Sequence, residues 1–82
     1  MTKTVEVKTK VVDLINRWVA KEKITMRLSA TSDFPFCYLK PQEVFTFIDE
    51  LQKDVVTEKF AIFKGIIVIN LEEGLELVLI TE

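Results

Sequence analysis

Cys37 is the one nucleophilic thiol in the chain, three residues before Lys40 and four before Pro41, where a helix can begin. A neighbouring cation and a positive helix end lower a thiol pKa and make the thiolate reactive. The competing role is packing, because free cysteine is among the most buried residue types. A second chemistry lies in Asp49, Asp54 and Glu58, carboxylates able to share general acid–base work if the fold pairs two of them in a concave site. A third lies in Lys3, Lys10, Arg17 and Lys21, which fall in one column of a helix and offer a nucleic-acid face that follows a phosphate backbone. Glu6 with Lys10 and Asp13 with Arg17 are acid-before-base pairs at i, i+4, the order that stabilises a solvated helix, and no aromatic stands among them to stack on bases.

The missing residues narrow the chemistry further. There is no histidine, which removes the commonest general base and the usual zinc sites. With two glycines, Gly65 and Gly74, no phosphate-cradling loop or dinucleotide fingerprint fits, and no calcium loop is spelled out. We therefore expect no enzyme, no cofactor, no metal and no small-molecule substrate.

The elements that position these residues are those of one small domain, residues 1–82. The composition, 49% hydrophobic and 29% charged, is that of a folded chain rather than a disordered one. A lone cysteine closes no internal disulfide. The aliphatic run Ile66–Ile69 is far below the roughly 18 residues of a membrane span, and the N-terminus has no apolar signal core. A cytoplasmic, soluble protein is the expectation.

Val7, Val11, Val12, Leu14, Ile15, Trp18 and Val19 share one wide arc at 100° per residue, which predicts an amphipathic helix over about 5–21 with Trp18 in the core. From Lys23 the period becomes two: Ile24, Met26, Leu28 and Ala30 alternate with polar residues, a strand with one wet face. Ser32 and Asp33 suit a turn, and Phe34–Leu39 reads as the returning strand. In it Phe34, Phe36 and Tyr38 face one way and Cys37 and Leu39 the other, while Pro35 places the strand at the rim of its sheet. Pro41 starts a second helix with core residues Val44, Phe47, Ile48, Leu51 and Val55, flanked by Phe45 and Val56 and ending near Thr57.

The C-terminal third reads as a hairpin. Phe60–Leu71 is one strand with a bulge or bend at Gly65, and Gly74 supplies the left-handed residue of a three-residue loop. Pairing Leu71 with Leu75 puts Ile67, Ile69, Leu71, Leu75, Leu77 and Leu79 on one face. Ile66, Val68, Val78 and Ile80 then stand on the other, with Asn70, Glu76 and Glu82. The fold class is α+β in the order α-β-β-α-β-β, a two-layer sandwich of two helices on one side of a four-stranded, mainly antiparallel sheet.

That arrangement leaves the second sheet face apolar, and four aliphatic side chains covered by a partner contribute several kcal/mol at about 25 cal/mol per Å². The expected function is a non-catalytic protein-binding or regulatory accessory module that associates, as a homodimer or with another protein, through Ile66, Val68, Val78, Ile80, Phe34, Phe36 and Tyr38. The alternative is the nucleic-acid face of Lys3, Lys10, Arg17 and Lys21. Charge is lopsided: residues 1–40 hold eight Lys and Arg against four Asp and Glu, and residues 41–82 hold three against nine, so balances of +4 and −6 make up the chain's −2. Either the halves interleave in the fold, or Asp49, Glu50, Asp54, Glu72, Glu73 and Glu76 form an acidic face for a basic partner.

Overall fold

The computed structural model describes residues 2–27 and 36–81. The first apolar arc forms α1 (Thr2–Ala20). Val7, Val11, Leu14, Ile15 and Trp18 are buried along it, a stripe that repeats at three and four residues as a helix laid on a sheet requires. Val12 and Val19, on the margin of the arc, stay exposed.

α1 stops by a Schellman motif. The Lys23 amide donates to the Trp18 carbonyl and the Glu22 amide to the Val19 carbonyl, both at 3.0 Å, with Glu22 left-handed at φ 60°. That position favours glycine, because a Cβ there crowds the backbone. Replacing Glu22 with Gly is expected to raise stability by about 0.5–1 kcal/mol, or a few degrees in Tm. A thermal melt of Glu22→Gly that moves downward contradicts this account of the helix end.

β1 (Ile24–Arg27) follows and pairs antiparallel with β2 (Phe36–Leu39), Ile24 opposite Leu39 and Met26 opposite Cys37. Leu28, Ala30, the Ser32–Asp33 turn, Phe34 and Pro35 lie outside the described residues. Pro41–Glu43 form a 3-10 turn that leads into α2 (Val44–Asp54). Val44, Phe47, Ile48, Leu51 and Val55 are buried as the periodicity predicts, and Phe45 and Val56 are exposed. Trp18 and Phe47 meet edge to face at 5.1 Å between ring centroids and 84° between planes, a geometry that adds roughly 0.5–1.5 kcal/mol beyond the area the rings bury.

The rest of the chain is three strands, not two. β3 (Thr57–Phe63) begins where the sequence suggests the end of the second helix. β4 (Ile66–Leu71) and β5 (Glu76–Thr81) follow. Phe60–Leu71 is thus a hairpin, broken at Lys64 (φ 48°) and Gly65 (φ 82°). Phe63 pairs with Ile66 across them. Two consecutive left-handed residues are what a type I′ turn demands, so Gly65 is a turn residue and not a bulge. A Cβ at Gly65 would also lie 3.1 Å from Thr81 Oγ1, the hydroxyl that donates to the Gly65 carbonyl. The true register shift of β3 falls between Thr57 and Lys59.

Among the described residues the result is α+β with two helices and a five-stranded mixed sheet in the order β1-β2-β5-β4-β3, in place of the four-stranded, mainly antiparallel sheet expected. β5 is inserted between the two antiparallel pairs. It runs parallel to β2, with Cys37 opposite Leu79 and Tyr38 opposite Ile80, and antiparallel to β4. Paired with β1 on one side and β5 on the other, β2 is consequently an interior strand and not the rim strand that Pro35 suggested. The β4–β5 register is the expected one: Ile67 faces Leu79, Ile69 faces Leu77, and the Leu71 amide donates to the Leu75 carbonyl at 2.8 Å. Ile24, Cys37, Leu39, Ile67, Ile69, Leu71, Leu75, Leu77 and Leu79 join the buried stripes of α1 and α2 in one core. Both helices therefore cover the same sheet face.

Candidate functional site

Because side chains alternate across a strand, the face opposite that core is determined by register alone. Ile66, Val68, Val78 and Ile80 occupy it as two cross-strand pairs, Ile66 opposite Ile80 and Val68 opposite Val78. Tyr38 continues the Ile80 row onto β2, and Phe36 stands two residues along the same strand. Phe63 and Ala61 extend the rows onto β3, opposite Ile66 and Val68. Polar residues border this surface: Asn70 and Glu76 at one end of β4–β5, Lys59 beside Asn70, and Thr25 on β1. Six of the seven residues expected to form an interface thus share one surface, and Phe34, the seventh, lies outside the described residues.

Val68, Val78, Ile80, Phe36 and Tyr38 are half-buried, while Ile66 is 43% and Phe63 69% exposed. The surface is thus apolar at its centre and polar at its border.

The basic column is divided between other contacts. Lys3 Nζ lies 3.0 Å from Glu72 Oε1, and that hydrogen bond, followed by the carboxylate's charge, raises the Lys3 pKa. Lys10 and Arg17 line a shallow groove of about 520 Å³ on the outer side of the helices, together with Asp13, Asn16 and Asp54. Lys21 is exposed beyond the end of α1. Acids therefore sit among these cations on the surface that a phosphate backbone would have to follow.

The acidic set is divided too. Asp49, Glu50 and Asp54 line an adjoining groove of about 430 Å³ with Arg17, Thr46 and Lys53, Glu72 is engaged with Lys3, and Glu76 belongs to the sheet. Glu58 lies on β3 and does not line this groove. Asp49 and Asp54 are exposed to solvent. The ion pairs Lys3–Glu72 and Lys23–Glu43 each join the basic first half to the acidic second half, as interleaved halves require.

Cys37 faces the core and is fully buried. Desolvation pushes its thiol up to about 12, opposite to the shift a nucleophile needs. Among the described residues no group of three or more His, Cys, Asp or Glu is placed to hold a metal ion, and no helix is long and apolar enough to cross a membrane.

Sequence reasoning missed one exposed apolar feature, the strand Thr57–Phe63. Its signal was the length of the apolar run on both sides of Lys64–Gly65, too long for one strand of ordinary size. No protein-family model, curated protein or solved structure matches this chain.

Proposed function

We propose that the protein is a non-catalytic binding module that associates through the open face of its sheet, with a second copy or with another protein as the cover. The observation that carries this reading is the two-row apolar surface of Ile66, Val68, Val78 and Ile80, continued by Tyr38 and Phe63, on the side of the sheet away from both helices. Covering half-exposed aliphatic and aromatic side chains of this kind contributes about 25 cal/mol per Å². Val68 and Val78 are half-buried on the face away from the core, so the monomer is expected to keep its fold when they are replaced.

Val68→Lys and Val78→Lys place a charge in the middle of the contact. Light scattering on the full chain at micromolar concentration is expected to show an assembly that either substitution dissociates, with the circular-dichroism spectrum kept. Loss of the folded spectrum along with the assembly would make these residues core rather than contact. Assembly unchanged by both substitutions would place the contact elsewhere.

A further inference from the structure

The polar end of the open face has an order. Asn70 on β4 stands opposite Glu76 on β5 and opposite Lys59 on β3, so the row reads acid, amide, base across three neighbouring strands. Glu76 and Lys59 are exposed, and Asn70 is half-buried. The next two rows are apolar: Val78, Val68 and Ala61, then Ile80, Ile66 and Phe63. Past them comes the β3–β4 turn with Lys64. A row of this kind, turned about its middle residue, exchanges its acid for its base.

Building on the open-face reading above, we propose that the cover is a second copy of this chain, laid face to face with the first about a two-fold axis that runs along β4. Glu76 of each copy then meets Lys59 of the other, and Asn70, Val68 and Ile66 each meet their own equivalents. Val78 comes against Ala61, and Ile80 against Phe63. Charge complementarity is what argues for a second copy, because the two-fold satisfies both members of the row at once and does so twice.

The other axes in the plane of the sheet fail on the same charges. An axis along β5 sets Glu76 against its own equivalent, and one along β3 does the same with Lys59; like charges held opposite one another are destabilising. An axis between strands brings Asn70 onto Glu76 or onto Lys59 and leaves the remaining charge without a counter-ion among the described residues. An axis across the strands turns the polar row towards the other end of the second copy, where Lys59 comes against Lys64.

Sheets packed in this way lie about 10 Å apart and cross at about −30°, an offset that the long side chains of Glu76 and Lys59 can span at the rim. The helices of both copies stay outside, and the assembly closes at two copies. The overlap is β3, β4 and β5 of each copy, roughly 15 Å wide at ordinary strand spacing. Tyr38, one strand beyond Ile80, borders it. A contact this narrow is at the small end of specific interfaces, so a dissociation constant of roughly 1–100 μM is expected.

Sedimentation velocity of the full chain from micromolar to near-millimolar concentration is expected to show a dimer that Val68→Lys dissociates. Glu76→Lys and Lys59→Glu each bring like charges together twice and are expected to weaken it about three- to tenfold, while the double variant Glu76→Lys/Lys59→Glu returns it to within about twofold. Asn70→Cys sets a thiol beside its own equivalent, so a short bismaleimide is expected to yield a covalent dimer. Thr25→Cys, exposed on the same face but on β1 and outside the overlap, is expected to yield none, and the buried Cys37 stays out of the reaction. A strictly monomeric wild-type chain, a double variant no tighter than the single ones, or crosslinking of Thr25→Cys in preference to Asn70→Cys overturns the arrangement. An assembly lost in Val68→Lys but unchanged by the charge variants overturns it as well and leaves the open-face reading standing, whereas a dimer that survives Val68→Lys removes both.

Discussion

Phe47→Ala is expected to destabilise the fold by about 3–5 kcal/mol, the range for removing a fully buried ring. Phe47 is completely buried on α2 and meets the edge of Trp18 on α1, so its loss opens a cavity between the two helices and the sheet. A domain of this size has a total stability of only about 4–12 kcal/mol. The substitution should therefore lower Tm by roughly 15–30 °C, and part of the population should be unfolded at growth temperature. Phe45→Ala, two residues away on the same helix, is the control. Phe45 is 73% exposed, and its truncation should fall within about 0.5 kcal/mol. Urea melts that rank the two variants alike would contradict the assignment of the core stripe of α2.

Cys37 carries the second large effect. Its thiol is held near 12 in the fold against an ordinary 9.0, because the thiolate is not solvated where the side chain sits. Below pH 9 the thiol is protonated in both states and contributes no pH dependence. Above pH 9 the unfolded chain loses the proton while the folded one keeps it, so stability falls by about 1.4 kcal/mol per pH unit until the folded thiol titrates near pH 12. The accumulated loss is on the order of 4 kcal/mol, and it should vanish in Cys37→Ala, whose own stability curve is flatter over that window. At neutral pH the same burial should leave the native thiol unmodified by iodoacetamide, with labelling only through unfolding. Rapid alkylation of the native chain would contradict the buried placement.

The parts of this fold that were legible in the sequence are those specified by local pattern. The core stripes of α1 and α2 follow from spacings of three and four residues, and the pairing of β4 with β5 follows from alternation on either side of Gly74, whose φ is 73°. With that register came the composition of the open face, since a strand offers only two sides.

The illegible parts depend on non-local or atypical features. Lys64 takes the first left-handed position of the β3–β4 turn, where asparagine, aspartate or glycine would have announced a hairpin. With isoleucines and phenylalanines on both sides, the run looked like one strand. β2 and β5 are neighbours although about forty residues separate them in sequence, and no local signal encodes a parallel pairing of that span. Pro35 points to an edge because proline removes a ladder donor, whereas the residues after it pair on both sides, with β1 and with β5. β3 is hidden in the sequence for the same reason as the turn, since its first residues follow directly on the second helix and its last ones run on into the apolar stretch of β4.

The proposed association draws on the apolar area of the open face and its polar border, and not on the Asp49–Asp54 groove, the basic column of α1 or the Cys37 thiol.

The central claim, that the second sheet face is open for docking, is tested most directly by methyl NMR of the full chain with a soluble paramagnetic relaxation agent. In a dilute sample the methyl groups of Ile66, Val68, Val78 and Ile80 are expected to relax strongly, while those of Ile67, Ile69, Leu77 and Leu79 remain shielded. Raising the concentration or adding a partner protein should then protect the first set alone. Protection of Ile66, Val68, Val78 and Ile80 equal to that of Ile67 and Leu77 in the dilute chain would show the face to be covered from within, and would contradict the account.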